Sequence, residues 1–280
     1  MAITSFIPEI WNAQLLTDFR EQTVAASLAN REYEGNASAG NVVRINSATA
    51  VAINNYATGE GGVPRTTAAD AVSTTSQDLL IDQEKSFDFY IDDIDKAQAA
   101  GGMDAFTRSA GEGLAEDADR FILAAAVTAA NAGNTETGAA LTTGDAAFNI
   151  LRDLRKALNK QKVPQGQRVA IVNAEFEAVL LEAASKLTAV DTSGSPAGLR
   201  EASLGRILGF DIYVSENLPT VSEQQVLAFY RPALAYVSQI EKTEAMRAND
   251  KFADRLRGLH VYGGKVVRPT AVAQWTATAA

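Results

Sequence analysis

Apolar residues along this chain follow different spacings, and each spacing predicts a different kind of element. At the amino end, Trp11, Leu15, Leu16, Phe19, Val24 and Leu28 recur at helical intervals behind Pro8, so Thr4 to Asn30 reads as helix-prone. Gly35, Asn36, Ser38 and Gly40 then break the pattern. Val43 and Ile45, followed by Val51 and Ile53, alternate with polar or small residues, which predicts a strand over Asn41 to Ile53. From Asn54 to Gln77 the chain turns polar, with Gly59, Gly61, Gly62 and Pro64 and little core material. Leu79, Ile81, Phe87, Phe89 and Ile91 then keep a period of two, which predicts one long, half-exposed strand. Two strands around such a middle make an extended hairpin, projecting because the middle has too few apolar residues to fold back. A compact domain seldom carries such a loop unless it serves a contact.

The strongest helical pattern runs from Asp104 to Ala130, where Phe106, Ala110, Gly113, Leu114, Ala118, Phe121, Ile122 and Ala125 recur at steps of three and four. Such a helix is about 40 Å long, unusual for a globular domain. Asn131 to Gly138 reads as a linker. Beyond it the texture becomes α/β. Ala146 to Lys160 is an amphipathic helix with Arg152, Arg155, Lys156 and Lys160 on its exposed face. Val169 to Val172 is a short apolar strand, Ala174 to Leu187 a helix, and Asp191 to Gly198 a loop. Ile207 to Val214 reads as a strand interrupted by Gly209, and Val226 to Tyr230 as another, ended by Arg231-Pro232. Leu234 to Glu241 and Leu259 to Val272 are the last predicted strands, with a basic loop between them. No internal repeat appears.

Composition narrows the chemistry more than the fold. The 280 residues contain no cysteine and one histidine, which excludes disulfides, zinc ribbons, iron–sulfur clusters, thiol nucleophiles and multi-histidine metal sites. No run of about 18 uncharged apolar residues is present, so no membrane partner is expected. The net charge of -9 is the wrong sign for a protein that grips nucleic acid. Its distribution is uneven: residues 1–145 hold 8 basic and 21 acidic residues (-13), whereas residues 146–280 hold 17 basic and 13 acidic (+4). Acidic and basic halves on different copies could complement each other.

Catalytic motifs fail on inspection. Gly111-Glu112-Gly113 lacks the third glycine of a dinucleotide fingerprint and lies within the long helix. Gly264-Lys265 is followed by Val266 where a phosphate loop needs Ser or Thr. Ser203 lacks the first glycine of a nucleophile elbow. His260, alone in a strand, reads as a packed core residue, and Asp92, Asp93 and Asp95 as a solvated strand end without metal-loop spacing. The sequon Asn36-Ala37-Ser38 carries no weight without secretion. No catalytic, cofactor-binding or metal-binding residue is assigned, and no cofactor is expected.

The order of parts, together with Phe6-Ile-Pro-Glu-Ile-Trp11, Phe89-Tyr-Ile-Asp-Asp-Ile-Asp95 and Val267-Arg-Pro-Thr-Ala271, resembles the tailed-phage major capsid protein family with the Hong Kong 97-type fold. That resemblance implies an α+β subunit with an N-terminal arm (1–45), an extended E-loop (46–85), a peripheral domain with a spine helix (86–145 and 239–280) and an axial domain (146–238). It further implies a shell protein whose pentamers and hexamers close an icosahedral head around double-stranded DNA, located in the virion and made in the bacterial host cytoplasm. Partners implied are further copies of itself, a portal, an optional decoration protein, and a scaffold expected to be separate from this chain because the arm starts at once. Some relatives crosslink an E-loop lysine between copies; between Asn46 and Glu84 this chain has Arg65 and no lysine, so no covalent mesh is expected. Arg65, Arg247, Lys251, Arg255 and Arg257 are the candidate inter-subunit contacts. Three alternatives stand beside this reading. They are an encapsulin-like nanocompartment shell, another virion component, and an enzyme using carboxylates such as Asp92 and Asp95.

Overall fold

The computed structural model describes residues 23–34, 40–51, 53, 71–93, 104–182, 205–220, 223–248 and 251–278. In chain order, helices α1 (Ala25–Leu28), α2 (Asp104–Ala129), α3 (Gly144–Lys160) and α4 (Ala174–Leu180) accompany eleven strands among these residues. The strands are β1 (Val42–Ala48), β2 (Thr74–Leu80), β3 (Gln83–Asp92), β4 (Thr135–Gly138), β5 (Arg168–Val172), β6 (Arg206–Ile207), β7 (Phe210–Val214), β8 (Gln225–Tyr230), β9 (Leu234–Arg247), β10 (Ala253–Val266) and β11 (Val272–Ala277).

They form three sheets. A mixed six-stranded sheet runs in the order β4-β11-β8-β5-β7-β6, with β4–β11 and β5–β7 parallel and the other pairs antiparallel. Its central strand β5 is buried at all five positions, because helices cover both faces. Ala170, Val172, Val226, Ala228 and Trp275 share a core with Leu151, Leu154 and Leu158 of α3 and Phe176 of α4. Val169, Ile171, Leu227 and Phe229 share another with Ile122, Leu123 and Ala126 of α2 and with α1. Asn173 caps α4 through its carbonyl oxygen, which accepts from Phe176 N at 3.2 Å, and Thr143 caps α3 the same way on Ala146 N at 3.4 Å.

The second sheet is antiparallel, in the order β3-β10-β9, with a bulge at Val261/Tyr262. Helix α2 packs on it, the Phe121 and Tyr262 rings meeting edge to face at 5.7 Å. Two glycines in β10 make room for neighbours. A Cβ on Gly258 would lie 2.3 Å from the Phe87 ring, and one on Gly263 would lie 2.1 Å from the main-chain oxygen of Leu80. The third sheet is the β1–β2 hairpin, paired from Val42↔Leu80 to Ala48↔Thr74. Its buried Val43, Ile45 and Leu79 rest on Ala235, Val237 and Val261 of the second sheet.

Several sequence expectations hold, among them the long helix, the amphipathic α3 and an antiparallel pairing across the polar stretch, whose middle, 54–70, lies outside the described residues. Others change. The predicted strand to Ile53 stops at Ala48, and Val51 and Ile53 are exposed, because no partner strand lies beyond Thr74 to pair with them among the described residues. The single strand through Leu79 and Ile91 is two, β2 and β3, in different sheets; the chain crosses over Gly263 between them. The linker after α2 contains β4, an edge strand held in parallel against β11. Ile207 to Val214 is a tight hairpin, since Leu208 (φ 50°) and Gly209 (φ 84°) both take the left-handed conformation that reverses the chain. The last strand divides at Arg268-Pro269: β10 ends at Val266, a 3₁₀ turn follows, and β11 joins the other sheet. Proline has no N–H to continue a ladder. For the first helix only α1 is seen, and residues 1–22 lie outside the described set, as do 183–204, which hold the end of the second predicted α/β helix, the loop after it and Ser203.

Candidate assembly surface

The basic loop expected between the last strands is largely strand. Arg247 closes β9, Arg255 and Arg257 lie within β10, and Lys251 sits at the tip between them. Alternation puts residues two apart on the same face, so Arg255 and Arg257 share the outer face with Asp88 and Tyr90 of β3 and with Lys242, Glu244 and Met246 of β9. The inner face carries Phe87 and Phe89, stacked at 5.8 Å, and turns them toward Phe106 on α2.

On the outer face the charges are ordered as a ladder. Arg255 holds Asp88, its Nε donating to Oδ1 at 2.8 Å. Arg257 holds Glu244 at 2.5 Å, and Lys242 binds the other oxygen of the same carboxylate at 2.5 Å. Arg247 donates through Nη1 to Asp93 at 2.7 Å and to Asp254 at 3.0 Å. The Tyr90 ring lies under two cations, with Lys251 Nζ 5.2 Å and Arg255 Cζ 5.3 Å from its centre. Lys242 and then Arg257 hold the Glu244 carboxyl down at about 2, and the Arg255 hydrogen bond lowers Asp88. Asp93 and then Asp254 raise Arg247 further above its ordinary range.

Within one copy, Arg247, Arg255 and Arg257 each meet a carboxylate of their own chain, and Lys251 meets an aromatic ring. The physical reason is the β3–β10–β9 register, which sets the acidic strand of the first half beside the basic strand of the second. Part of the charge asymmetry in the sequence is thus cancelled within one copy. Arg65 and Asp95 lie outside the described residues. Asp92 ends β3 and Asp93 is tied to Arg247, so the acidic run is a strand end joined to the hairpin tip.

Nothing in this region has the arrangement of a catalytic site. Among the described residues no group of three His, Cys, Asp or Glu side chains is placed to hold a metal ion. His260 is 9 % exposed and packs on the Tyr262 ring at 4.8 Å, with its Nε2 3.1 Å from Ser238 Oγ and 3.4 Å from Tyr236 Oη. It is the packed core histidine expected from sequence. Tyr262 donates to Asp117 at 2.7 Å, and burial, with Asp117 next, pushes its phenol far above the ordinary range. No proton acceptor is produced there.

Sequence reasoning missed one buried polar group that organises the amino end. Asp119 of α2 is fully buried. Its Oδ1 accepts from the main-chain N–H groups of Val24, Ala25 and Ala26 at 3.1, 2.7 and 3.2 Å, and its Oδ2 accepts from Asn217 Nδ2 at 3.2 Å. One carboxylate thereby satisfies the first N–H groups of α1 and fastens that segment to α2. The signal was legible: Asp119 stands on the same apolar stripe as Ala118, Ile122 and Ala126, where a solvated acid does not belong.

The likeness to known proteins is extensive. A family model described as phage capsid protein matches residues 80–275. A solved structure from Mycobacterium phage Che8 is 48% identical, covers 98% of both chains and superposes with a TM-score of 0.85. The chain belongs to the phage capsid protein family. Two more distant structures share the fold at 16% identity. The capsid of cyanophage P-SCSP1u has a TM-score of 0.81 over 99% of this chain and 94% of its own, and the mature capsid of bacteriophage PhiM1 has 0.74 over 97% and 92%. No curated protein matches significantly. As a phage capsid protein, the chain is a major structural component of the virion, which assembles with copies of itself into a shell, and it is not an enzyme. Among the described residues no helix is long and apolar enough to cross a membrane.

Proposed function

We propose that this phage capsid protein forms an icosahedral, Hong Kong 97-type head around double-stranded DNA. The observation that carries the reading is the 48% identity to the Mycobacterium phage Che8 structure across nearly the full length of both chains. In this reading the β1–β2 hairpin is the base of the E-loop and α2 is the spine helix. Residues 1–45 are the arm, 46–85 the E-loop, 86–145 with 239–280 the peripheral domain, and 146–238 the axial domain. A two-stranded hairpin is marginal alone, and burial on neighbouring copies adds to its stability. Contacts repeated over every copy then sum to a stable lattice. The shell is made in the host cytoplasm with a scaffold and a portal as partners.

The test is light scattering on the purified protein with negative-stain imaging of the same peak. Closed, megadalton polyhedral particles are expected, alone or on co-expression with the neighbouring gene products. A monomer that persists with those products present overturns the reading. Copies should also separate fully on a denaturing gel, since the one lysine of residues 46–85, Lys85, lies at the foot of the loop in β3, 3.4 Å from Asp117 of its own chain. A covalent ladder would refute that part.

A further inference from the structure

Helix α3 turns Ala147, Leu151, Leu154 and Leu158 into the core and leaves its basic residues outward. Arg155 leans against the β6–β7 hairpin, where its Nη1 donates to the main-chain oxygen of Leu208 at 3.0 Å. Behind it, at the start of β5, Arg168 is only 2 % exposed. Its Nε donates to the oxygen of Pro164 at 2.8 Å and its Nη2 to that of Val163 at 2.6 Å. All three acceptors are neutral carbonyls. A buried guanidinium normally sits with a carboxylate, because neutral dipoles do not cancel its charge. Here the next charge is another cation: burial first, then Arg155, pulls Arg168 below its ordinary value. A third guanidinium, Arg206, has Asp211 at 3.7 Å as its partner.

These three arginines line one concavity of about 230 Å³ together with Gly166, Leu208 and Gly209. A Cβ at either glycine would meet nothing within 4 Å, so the walls there stay open. Three cations less the one carboxylate of Asp211 leave +2 at the site. We propose that this concavity is a phosphate-type oxyanion site, in which Arg155, Arg168 and Arg206 hold one tetrahedral dianion. A phosphate dianion cancels the charge that a single carboxylate would leave half uncompensated. Guanidinium forks also match its several oxygens. Free inorganic phosphate and the terminal phosphate of a nucleotide share this chemistry.

Sodium phosphate is titrated into the full-length protein at constant ionic strength, with ³¹P line width and melting temperature as readouts. A saturable response is expected, weakened by at least about tenfold in Arg155→Gln, which removes a charge-assisted hydrogen bond. Arg206→Gln, at the exposed rim, should weaken it in the same direction, while Lys242→Gln in the other sheet should leave it unchanged. Competition by a 5′-phosphorylated dinucleotide, and none by its unphosphorylated form, identifies a strand end as the source. Binding of inorganic phosphate without such competition identifies the free ion. No saturable response at phosphate concentrations on the order of tens of millimolar overturns the site, as does equal binding by Arg155→Gln. If phosphate is silent but Arg155→Gln abolishes particles, the pocket takes an acidic side chain of a second copy and the proposal fails.

Discussion

Replacing Asp119 with leucine tests how the amino-terminal segment is held. The substitution removes the one oxygen that accepts from Val24, Ala25 and Ala26 at 2.7–3.2 Å. If α1 stayed docked, three buried donors would be left unsatisfied at about 1–3 kcal/mol each, or roughly 3–9 kcal/mol together. The alternative is to release α1, which exposes Val24 and Leu28, now 8 % and 4 % exposed, at about 1.5–3 kcal/mol each. Release, at roughly 3–6 kcal/mol less the chain entropy regained, is the cheaper route. Undocking stops at Asn30, whose N–H donates to Leu234 O at 2.7 Å and whose oxygen accepts from Tyr236 N at 3.0 Å. Hydrogen exchange should therefore show residues 25–28 losing protection by at least about a hundredfold, near 3 kcal/mol, while β5 and β8 amides stay protected. Asp119→Asn keeps an accepting oxygen but sets an amide against Asn217 Nδ2, so it should lose less, about 1 kcal/mol. Unchanged protection of residues 25–28 in the leucine variant would refute the clamp. So would an asparagine variant as damaged as the leucine one. The pH dependence has a definite sign. Burial outweighs the hydrogen bonds from Asn217 and the main chain and raises this carboxyl above its ordinary 3.8. The folded chain thus binds that proton more tightly than the unfolded one. The stability linked to it is complete below 3.8 and is lost as pH rises through the raised value. Acid alone should not release α1 through Asp119.

Three further outcomes follow from the second sheet. Gly263→Ala forces a Cβ to within 2.1 Å of the Leu80 carbonyl, so main chain must shift; a loss of about 1–3 kcal/mol in chemical denaturation is expected, and wild-type stability would show the crossing to be loose. Because Glu244 is held at about 2 against an ordinary 4.5, its ion pairs contribute above 4.5 and are lost as pH falls from there to about 2, and Glu244→Gln should flatten that part of the acid-unfolding profile. An unaltered profile would mean the pairs contribute nothing measurable, as exposed pairs sometimes do. Reversing Arg247 and Lys251 to glutamate places new acids beside Asp93, Asp254 and the Tyr90 ring, and should lower particle yield, measured by sedimentation; normal yield would remove the hairpin tip from the assembly surface.

What the sequence determined by itself was local. Periodicity suffices to define α2, α3 and β5, because each buries a stripe or face whose spacing is set by its own backbone geometry. The zero cysteine count and lone histidine were equally decisive against most enzyme chemistry. Tertiary structure decided everything that depends on which segments meet. Leu79 to Ile91 has one period-two pattern, yet belongs to two sheets, since alternation is the same whichever partner a strand pairs with. The charges of Arg255 and Arg257 look like a basic patch until β10 lies between β3 and β9, where Asp88 and Glu244 neutralise them. Asp119 and Arg168 make the same point from the inside. A buried charge is recognisable in sequence as an oddity on an apolar element, but its partners lie 93 to 98 residues away for Asp119, and for Arg168 they are, among the described residues, main-chain carbonyls. Spacing along a chain carries no information about such pairs, because long-range contacts are chosen by the packing of whole elements rather than by any local pattern.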